Sequence, residues 1–261
     1  MGSALLAGWL DQGLPGSAVK VVEPHRSAPV MAGFLERGVS IIGSVEALDP
    51  NAKPDVILFA IKPQAINEIV PTYRRFIQNA PVFLSVAAGC TISLLEALLG
   101  GSPAIVRCMP NTPAAIRRGI TVACANGRAS SDQRALCNNL LEAVGEVVWI
   151  EDENLMDAVT AVSGSGPAYL FLLVEELAIA GAAAGLPDDL ANRLARLTFT
   201  GAGALLASTD LSPNDLRSAV TSPGGTTEAA LEILMGPGGL RELMIAAVQA
   251  AKTRSRRLSS R

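Results

Sequence analysis

The chain has 261 residues, a formal net charge of −3, a pI near 5.3, and 49% hydrophobic but only 4% aromatic residues. That length and apolar content supply a globular core for one large domain or two modest ones, while the lack of a basic field and of stacking aromatics argues against a nucleic-acid partner. Cys90, Cys108, Cys124 and Cys137 are widely spaced with no C-x-x-C pair and one histidine to help them, so no metal site is expected; free thiols fit a reducing compartment, the cytoplasm.

The chain opens in a helix, Met1-Gly2-Ser3-Ala4-Leu5-Leu6-Ala7-Gly8-Trp9-Leu10. Strand-like runs follow at Val19 to Val22, Val39 to Ile42, Asp55 to Ile61, Val82 to Val86, Ala104 to Arg107, Thr121 to Ala125 and Val147 to Ile150. Helix-like segments separate them, among them Asp132 to Val144. This alternation predicts a parallel sheet covered on both faces. After Glu151 the strand signals stop, and Ala/Leu-rich helices are broken at Gly164-Ser165-Gly166-Pro167, Gly185-Leu186-Pro187, Leu211-Ser212-Pro213, Ser222-Pro223-Gly224-Gly225 and Gly236-Pro237-Gly238-Gly239. The expected organisation is an α/β dinucleotide-binding domain over residues 1–150 and an all-α domain over residues 151–261.

The apolar stretch Pro167 to Gly185 is interrupted by Glu175 and Glu176, which a bilayer core penalises, so it is expected to be a buried helix with no membrane involved. The second-half helices are apolar around most of their circumference, as in Ala178-Ile179-Ala180-Gly181-Ala182-Ala183-Ala184-Gly185. A small helical domain cannot cover such surfaces by itself, which implies a second copy of the chain and a homo-oligomer.

Thr221-Ser222-Pro223-Gly224-Gly225-Thr226-Thr227 runs straight into a helical segment that starts at Glu228. Amides of Gly225, Thr226 and Thr227 are expected to lack partners inside the helix and to face outward at the positive end of its dipole, an arrangement suited to a carboxylate. The same residues also make an ordinary capped helix start.

In the first half, a sheet of this kind binds a dinucleotide at a glycine-rich turn after its first strand. Gly2 stands as the third glycine of G-x-G-x-x-G, the one that allows close helix packing, and Glu23 follows about twenty residues on, where an acidic side chain takes a ribose hydroxyl. His25 and Arg26 can instead meet a 2′-phosphate, so NAD and NADP stay open. Further sheet-edge loops are Phe59-Ala60-Ile61-Lys62-Pro63-Gln64, Ser85-Val86-Ala87-Ala88-Gly89 and Arg107-Cys108-Met109-Pro110-Asn111-Thr112-Pro113. Lys62 either faces phosphates or solvates a loop.

Taken in order, the Phe59 to Pro63, Ser85 to Gly89 and Arg107 to Pro113 segments, Asp157-Ala158-Val159-Thr160 with Ser163-Gly164-Ser165-Gly166-Pro167-Ala168-Tyr169, and Ser222 to Thr227 resemble the pyrroline-5-carboxylate reductases. The resemblance covers nearly the whole chain. It implies a Rossmann domain followed by a helical domain that dimerises by interlocking, with dimers often assembled into rings. It implies reduction of a cyclic imino acid, 1-pyrroline-5-carboxylate, to proline by hydride from NADPH or NADH. By position, Ala60, Ile61, Lys62 and Pro63, with Val86, Ala87 and Ala88, line the cofactor, and Met109, Pro110 and Asn111 flank its nicotinamide. Gly225, Thr226 and Thr227 hold the substrate carboxylate, the Thr227 hydroxyl meets the ring nitrogen, Glu153 stands near the substrate, and the Ser163 to Pro167 turn shapes the pocket wall.

Such a reaction needs no strong acid, because a protonated C=N bond is already electrophilic and the protein mainly supplies orientation and a dry pocket. Departures from the family pattern are the missing first strand and first two glycines, Val45 in place of an asparagine near the adenosine, and Ala219 in place of an asparagine near the substrate. The first departure removes the pyrophosphate cradle; either the sequence begins at an internal methionine of a longer protein, the preferred reading because the other motifs are intact, or the form is truncated. A 3-hydroxyacid dehydrogenase is disfavoured because no lysine lies between Lys62 and Lys252. The alternative from another class is a non-catalytic dimerisation protein built on a crippled dinucleotide fold.

Overall fold

Helix α1 (Gly2–Asp11) opens the computed structural model, which describes residues 1–24 and 29–259. It is followed by β1 (Lys20–Val22), α2 (Pro29–Glu36), β2 (Ser40–Ile42), β3 (Val56–Phe59), α3 (Ile66–Ile69), β4 (Val82–Ser85), α4 (Ile92–Leu99), β5 (Ala104–Met109), β6 (Gly119–Ala125), α5 (Ser131–Glu142) and β7 (Gly145–Trp149). The strands form two sheets, one of β1 and β2, the other in the order β3-β4-β5-β6-β7. All pairs are parallel except β5 with β6, which run antiparallel. That exception departs from the all-parallel expectation: the β5–β6 connection, residues 110–118, is too short for a crossover, so the chain turns back on itself.

The five-stranded sheet is buried on both faces, as near-continuous apolar runs require. One face packs Phe59, Phe83, Ile105 and Cys124 with Phe76, Leu95 and Met156. The other packs Leu84, Val106, Cys108 and Ala123 with Leu5, Cys137 and Leu141. The two-stranded sheet has its own cluster of Leu6, Leu10, Met31, Phe34 and Val39. Helix α1 joins the two clusters: Leu5 belongs to the large-sheet cluster, Leu6 and Leu10 to the small-sheet one, and Trp9 packs against both while its indole N–H donates to the Leu140 carbonyl at 2.6 Å. Among the described residues no backbone ladder joins β1 to β3, so α1 is the splint between the sheets.

Beyond β7 come α6 (Met156–Val159), a π-helical turn (Thr160–Gly164), α7 (Gly166–Ala183), α8 (Asp188–Ala207), α9 (Pro213–Ala219), α10 (Thr226–Met235) and α11 (Leu240–Ser259). The helix breaks follow the Gly/Pro punctuation of the sequence. Two compact units emerge, Met1–Gly164 with the chain from Lys252 onward, and Ser165–Ala251. Strand signals end at Trp149, yet the first unit continues to Gly164 because Met156 and Ala161 are buried in it.

In the second unit α7 and α8 approach through small residues, and a Cβ on Gly181 would stand 3.3 Å from that of Ala191. The only apolar residues buried there are Ala178, Ala191 and Ala195, whereas Phe171 is 66% and Ile233 78% exposed. The stretch Glu153–Ala183 is long and apolar enough to cross a membrane by length and composition, and only 6% of its most apolar window is buried within the chain. The expected burial of Pro167 to Gly185 is therefore not met by this chain alone, since its contact with α8 buries little beyond Ala178 and leaves Leu170, Phe171, Leu172 and Ile179 exposed.

The four cysteines are buried and free. Burial pushes the Cys90 thiol up to about 11 and Cys137 to about 12, and holds Cys108 well above its ordinary range. Because these folded values lie above the unfolded one, the contribution to stability is full below pH 9, the ordinary thiol value, and is lost as pH rises through 11 to 12. A thiol reagent at neutral pH should accordingly label none of the four in the native chain and all of them in denaturant, and melting temperature should fall from pH 9 upward; rapid native labelling would contradict this burial. Leu5, with no exposed surface, gives a second check. Leu5→Ala should cost about 2–5 kcal/mol in urea unfolding, and a loss under about 1 kcal/mol would show that α1 does not hold the sheets together.

Candidate functional site

The C-terminal ends of the parallel strands β3, β4 and β5 lie along one edge of the sheet, where open α/β sheets bind ligands. At β3, Ala60 is exposed, Ile61 half-buried, and Lys62 and Pro63 exposed, with the Lys62 carbonyl accepting the Ala65 amide at 3.0 Å. Gly2 packs onto this end: a Cβ there would stand 3.0 Å from the Ala60 Cβ, tight enough to explain a glycine at the start of α1. At β4, buried Ser85 accepts the Ala87 amide at 3.3 Å, Val86 donates to the Phe59 carbonyl at 3.2 Å, and Gly89 closes the turn at φ +74°. Ala87 is buried, while Val86 and Ala88 are half-buried small walls.

At β5, Met109 and Asn111 are half-buried and Pro110 buried. Asn111 is partly committed: its Oδ1 accepts the Ile120 amide at 3.0 Å, which leaves the side-chain Nδ2 without a partner among the described residues. Next to Met109 runs the π-helical turn, a rare geometry. A Cβ on Gly164 would lie 2.4 Å from the Met109 methyl, so a larger residue there would displace the end of that side chain, and the neighbouring Ser163 Oγ is buried with no partner among the described residues.

Under this edge lies a buried ion pair whose arginine sequence reasoning left without a role. Arg107, only 5% exposed in the middle of β5, donates through Nη1 to Glu153 Oε1 at 2.7 Å. The same oxygen accepts the Ile92 amide at the start of α4 at 2.9 Å. Glu153 Oε2 has no partner among the described residues, on a side chain 29% exposed. A signal was present in the sequence: one arginine inside the apolar strand Ala104-Ile105-Val106-Arg107-Cys108-Met109 cannot be buried without a carboxylate.

In the second unit, the Ser222 to Thr227 turn enters α10 with Gly225 as its N-cap. One expectation is corrected here. The Gly225 amide is not free: it donates to the Ser222 carbonyl at 3.0 Å and closes the turn. A Cβ on Gly225 would press on that carbonyl at 2.9 Å, and Gly224 sits at φ +70° with its amide on Glu228 Oε2 at 2.6 Å. The open donors are the amides of Thr226 and Thr227, which have no partner among the described residues. Thr227 is half-buried and Thr226 exposed.

Glu23, just beyond β1, donates its amide to the Ile42 carbonyl at 2.8 Å. His25 and Arg26, the alternative 2′-phosphate contacts, lie outside the described residues. Val45 is buried and its carbonyl accepts from Arg75. Among the described residues no group of three or more His, Cys, Asp or Glu is placed to hold a metal ion.

A family model described as pyrroline-5-carboxylate reductase dimerisation matches residues 153–258. The chain is 37% identical over 265 residues to a pyrroline-5-carboxylate reductase of Pseudomonas aeruginosa, covering 99% of this chain and 93% of that protein. Among solved structures it is similar to a pyrroline-5-carboxylate reductase from Coxiella burnetii, with TM-score 0.89, 36% identity, and 99% and 94% of the two chains covered. It is also similar to pyrroline carboxylate reductase of Plasmodium falciparum solved with NADP bound, with TM-score 0.83, 28% identity, and the same coverage of 99% and 94%.

Proposed function

The chain belongs to the pyrroline-5-carboxylate reductase family, and from that premise we infer that it reduces 1-pyrroline-5-carboxylate to proline with hydride from NAD(P)H. The observation that carries this reading is the relation over essentially the full length, with both the sheet-edge loops and the α10 turn present. When bound, NAD(P)H supplies the hydride.

The residues present fit the nicotinamide end of that cofactor. The small side chains at Ala87 and Ala88 leave room for a flat ring against the backbone, and the close approach of Gly2 to Ala60 brings the start of α1 up to this edge. Ala60, Ile61, Lys62 and Pro63 hold the cofactor with Val86, Ala87 and Ala88. Met109, Pro110 and Asn111 flank its nicotinamide, Asn111 through the Nδ2 left over from its bond to β6. Glu23 takes a ribose hydroxyl, or His25 and Arg26 take a 2′-phosphate, and NADPH is the cofactor we favour.

Thr226 and Thr227 offer two amides and the positive end of the α10 dipole to the substrate carboxylate. Gly225 contributes by closing the turn that aims them. The Thr227 hydroxyl orients the ring nitrogen; Glu153, in the first unit, is the further residue we assign to substrate, through Oε2. None of these groups must act as a strong acid, because the protonated imine arrives electrophilic; the protein lowers the barrier by fixing geometry. The functional protein is a homodimer of the helical unit, its dimers assembled into a ring, in the cytoplasm, where the four thiols stay reduced.

The test is NADPH oxidation, followed by absorbance, on addition of 1-pyrroline-5-carboxylate; no turnover beyond the uncatalysed rate would sink the reading. Thr227→Ala should lower kcat about ten- to a hundredfold, the loss of one positioned contact of about 1.4–2.7 kcal/mol, and an unchanged kcat would remove Thr227 from the mechanism. Gly225→Val should act mainly on KM for the imino acid, since it pushes on the Ser222 carbonyl and opens the turn; an unchanged KM would place the carboxylate elsewhere.

A further inference from the structure

Three segments assigned above to cofactor or substrate are tied together by one ion pair. Arg107 stands two residues before Met109 on β5, and alternation along the strand puts the two side chains on the same face. Ile92, whose amide shares Glu153 Oε1, begins the helix that follows the Val86 to Gly89 turn. Glu153 itself begins the segment that runs through Met156 into the π-helical turn. The pair is shielded on the sheet side: Ser85 and Cys124 are the β-ladder partners of Arg107, and both are buried.

An arginine this buried must keep a carboxylate partner, so Arg107 fixes where Glu153 can be. It also fixes which oxygen is spent. Oε1 carries both inward bonds, and Oε2 is left as a negative acceptor on a partly exposed side chain. We propose that Arg107 is a positioning residue of the reductase: by fastening Oε1 it presents Oε2 as the counter-charge to the ring nitrogen of the imino acid, which is cationic in both the protonated imine and proline. This rests on the reading that the chain binds those molecules. It assigns ring-nitrogen selectivity to a residue that touches no substrate.

Binding of proline and of oxolane-2-carboxylate, measured by calorimetry on the full chain with and without NADPH, separates the possibilities. The two ligands share the carboxylate, but the oxolane oxygen carries no positive charge for Oε2 to meet. The wild type should prefer proline. Glu153→Gln keeps the inward acceptor but loses the charge, and Arg107→Met frees the carboxylate from its anchor; each should reduce the preference about tenfold, the range of one hydrogen bond to a charged group. The double variant should be no worse than either single one, because both act on the same contact. Melting temperatures run alongside. A purely structural pair would lower the melting temperature while the folded protein kept its preference for proline, and that result overturns the proposal. If Arg107→Met does not fold, Arg107→Lys carries the test, since a point charge cannot reproduce the guanidinium fork and should lose part of the preference; full retention in that variant also overturns it. Binding of neither ligand by the wild type sinks the reading of substrate and this proposal with it, whereas binding without preference sinks this proposal alone.

Discussion

Between Ser165 and Ala251 the buried apolar side chains are three alanines, and that shortage governs the rest of the molecule. Ordering a residue costs about 1–2 kcal/mol of backbone entropy, and methyl groups alone cannot offset it across five helices. The unit therefore keeps its order through surface that faces outward in one copy: Phe171, Leu172, Ile179, Leu197 and Ile233 are all exposed. A second copy is the natural cover, in keeping with the dimerisation model matched over residues 153–258. The same shortage explains why Glu153–Ala183 has membrane-like hydropathy. Apolarity all round a helix signals burial against something, and with Glu175 and Glu176 in its midst that something is better supplied by protein than by lipid.

Much of this architecture was legible in local pattern. Each strand lies within a few residues of an apolar run, and the helix breaks after Glu151 fall at or beside a Gly or Pro, because backbone freedom and the missing proline N–H act through neighbours only. Strand direction was not legible. Period two is the same in either sense, so the antiparallel β5–β6 pair could be anticipated only from the length of its connection.

The site divided along the same line. The Gly224-Gly225-Thr226-Thr227 turn announced a helix start with open amides, but which amides stay open depends on the turn's own hydrogen bonds, and Gly225 spends its amide on Ser222. Glu153 was visible only through resemblance. Its bonds to Arg107 and Ile92 join positions 46 and 61 residues apart, a separation at which sequence spacing carries no information. The orphaned Ser163 Oγ and the Gly164–Met109 contact likewise belong to a π-turn that no periodicity announces.

The small sheet has three residues in each strand and draws its order from α1 and α2 rather than from its own ladder. A pair of that size is marginal in water by itself, so β1 and β2 hold together only while α1 and α2 cover them. Glu23, the residue read as gripping a ribose, hangs from that pair through its amide on Ile42. A dinucleotide that holds Glu23 would consequently be binding and folding the same few residues in one step. Its dissociation constant would contain the free energy of closing β1 onto β2, and anything that loosens α1 would register as weaker affinity without touching a single ligand contact.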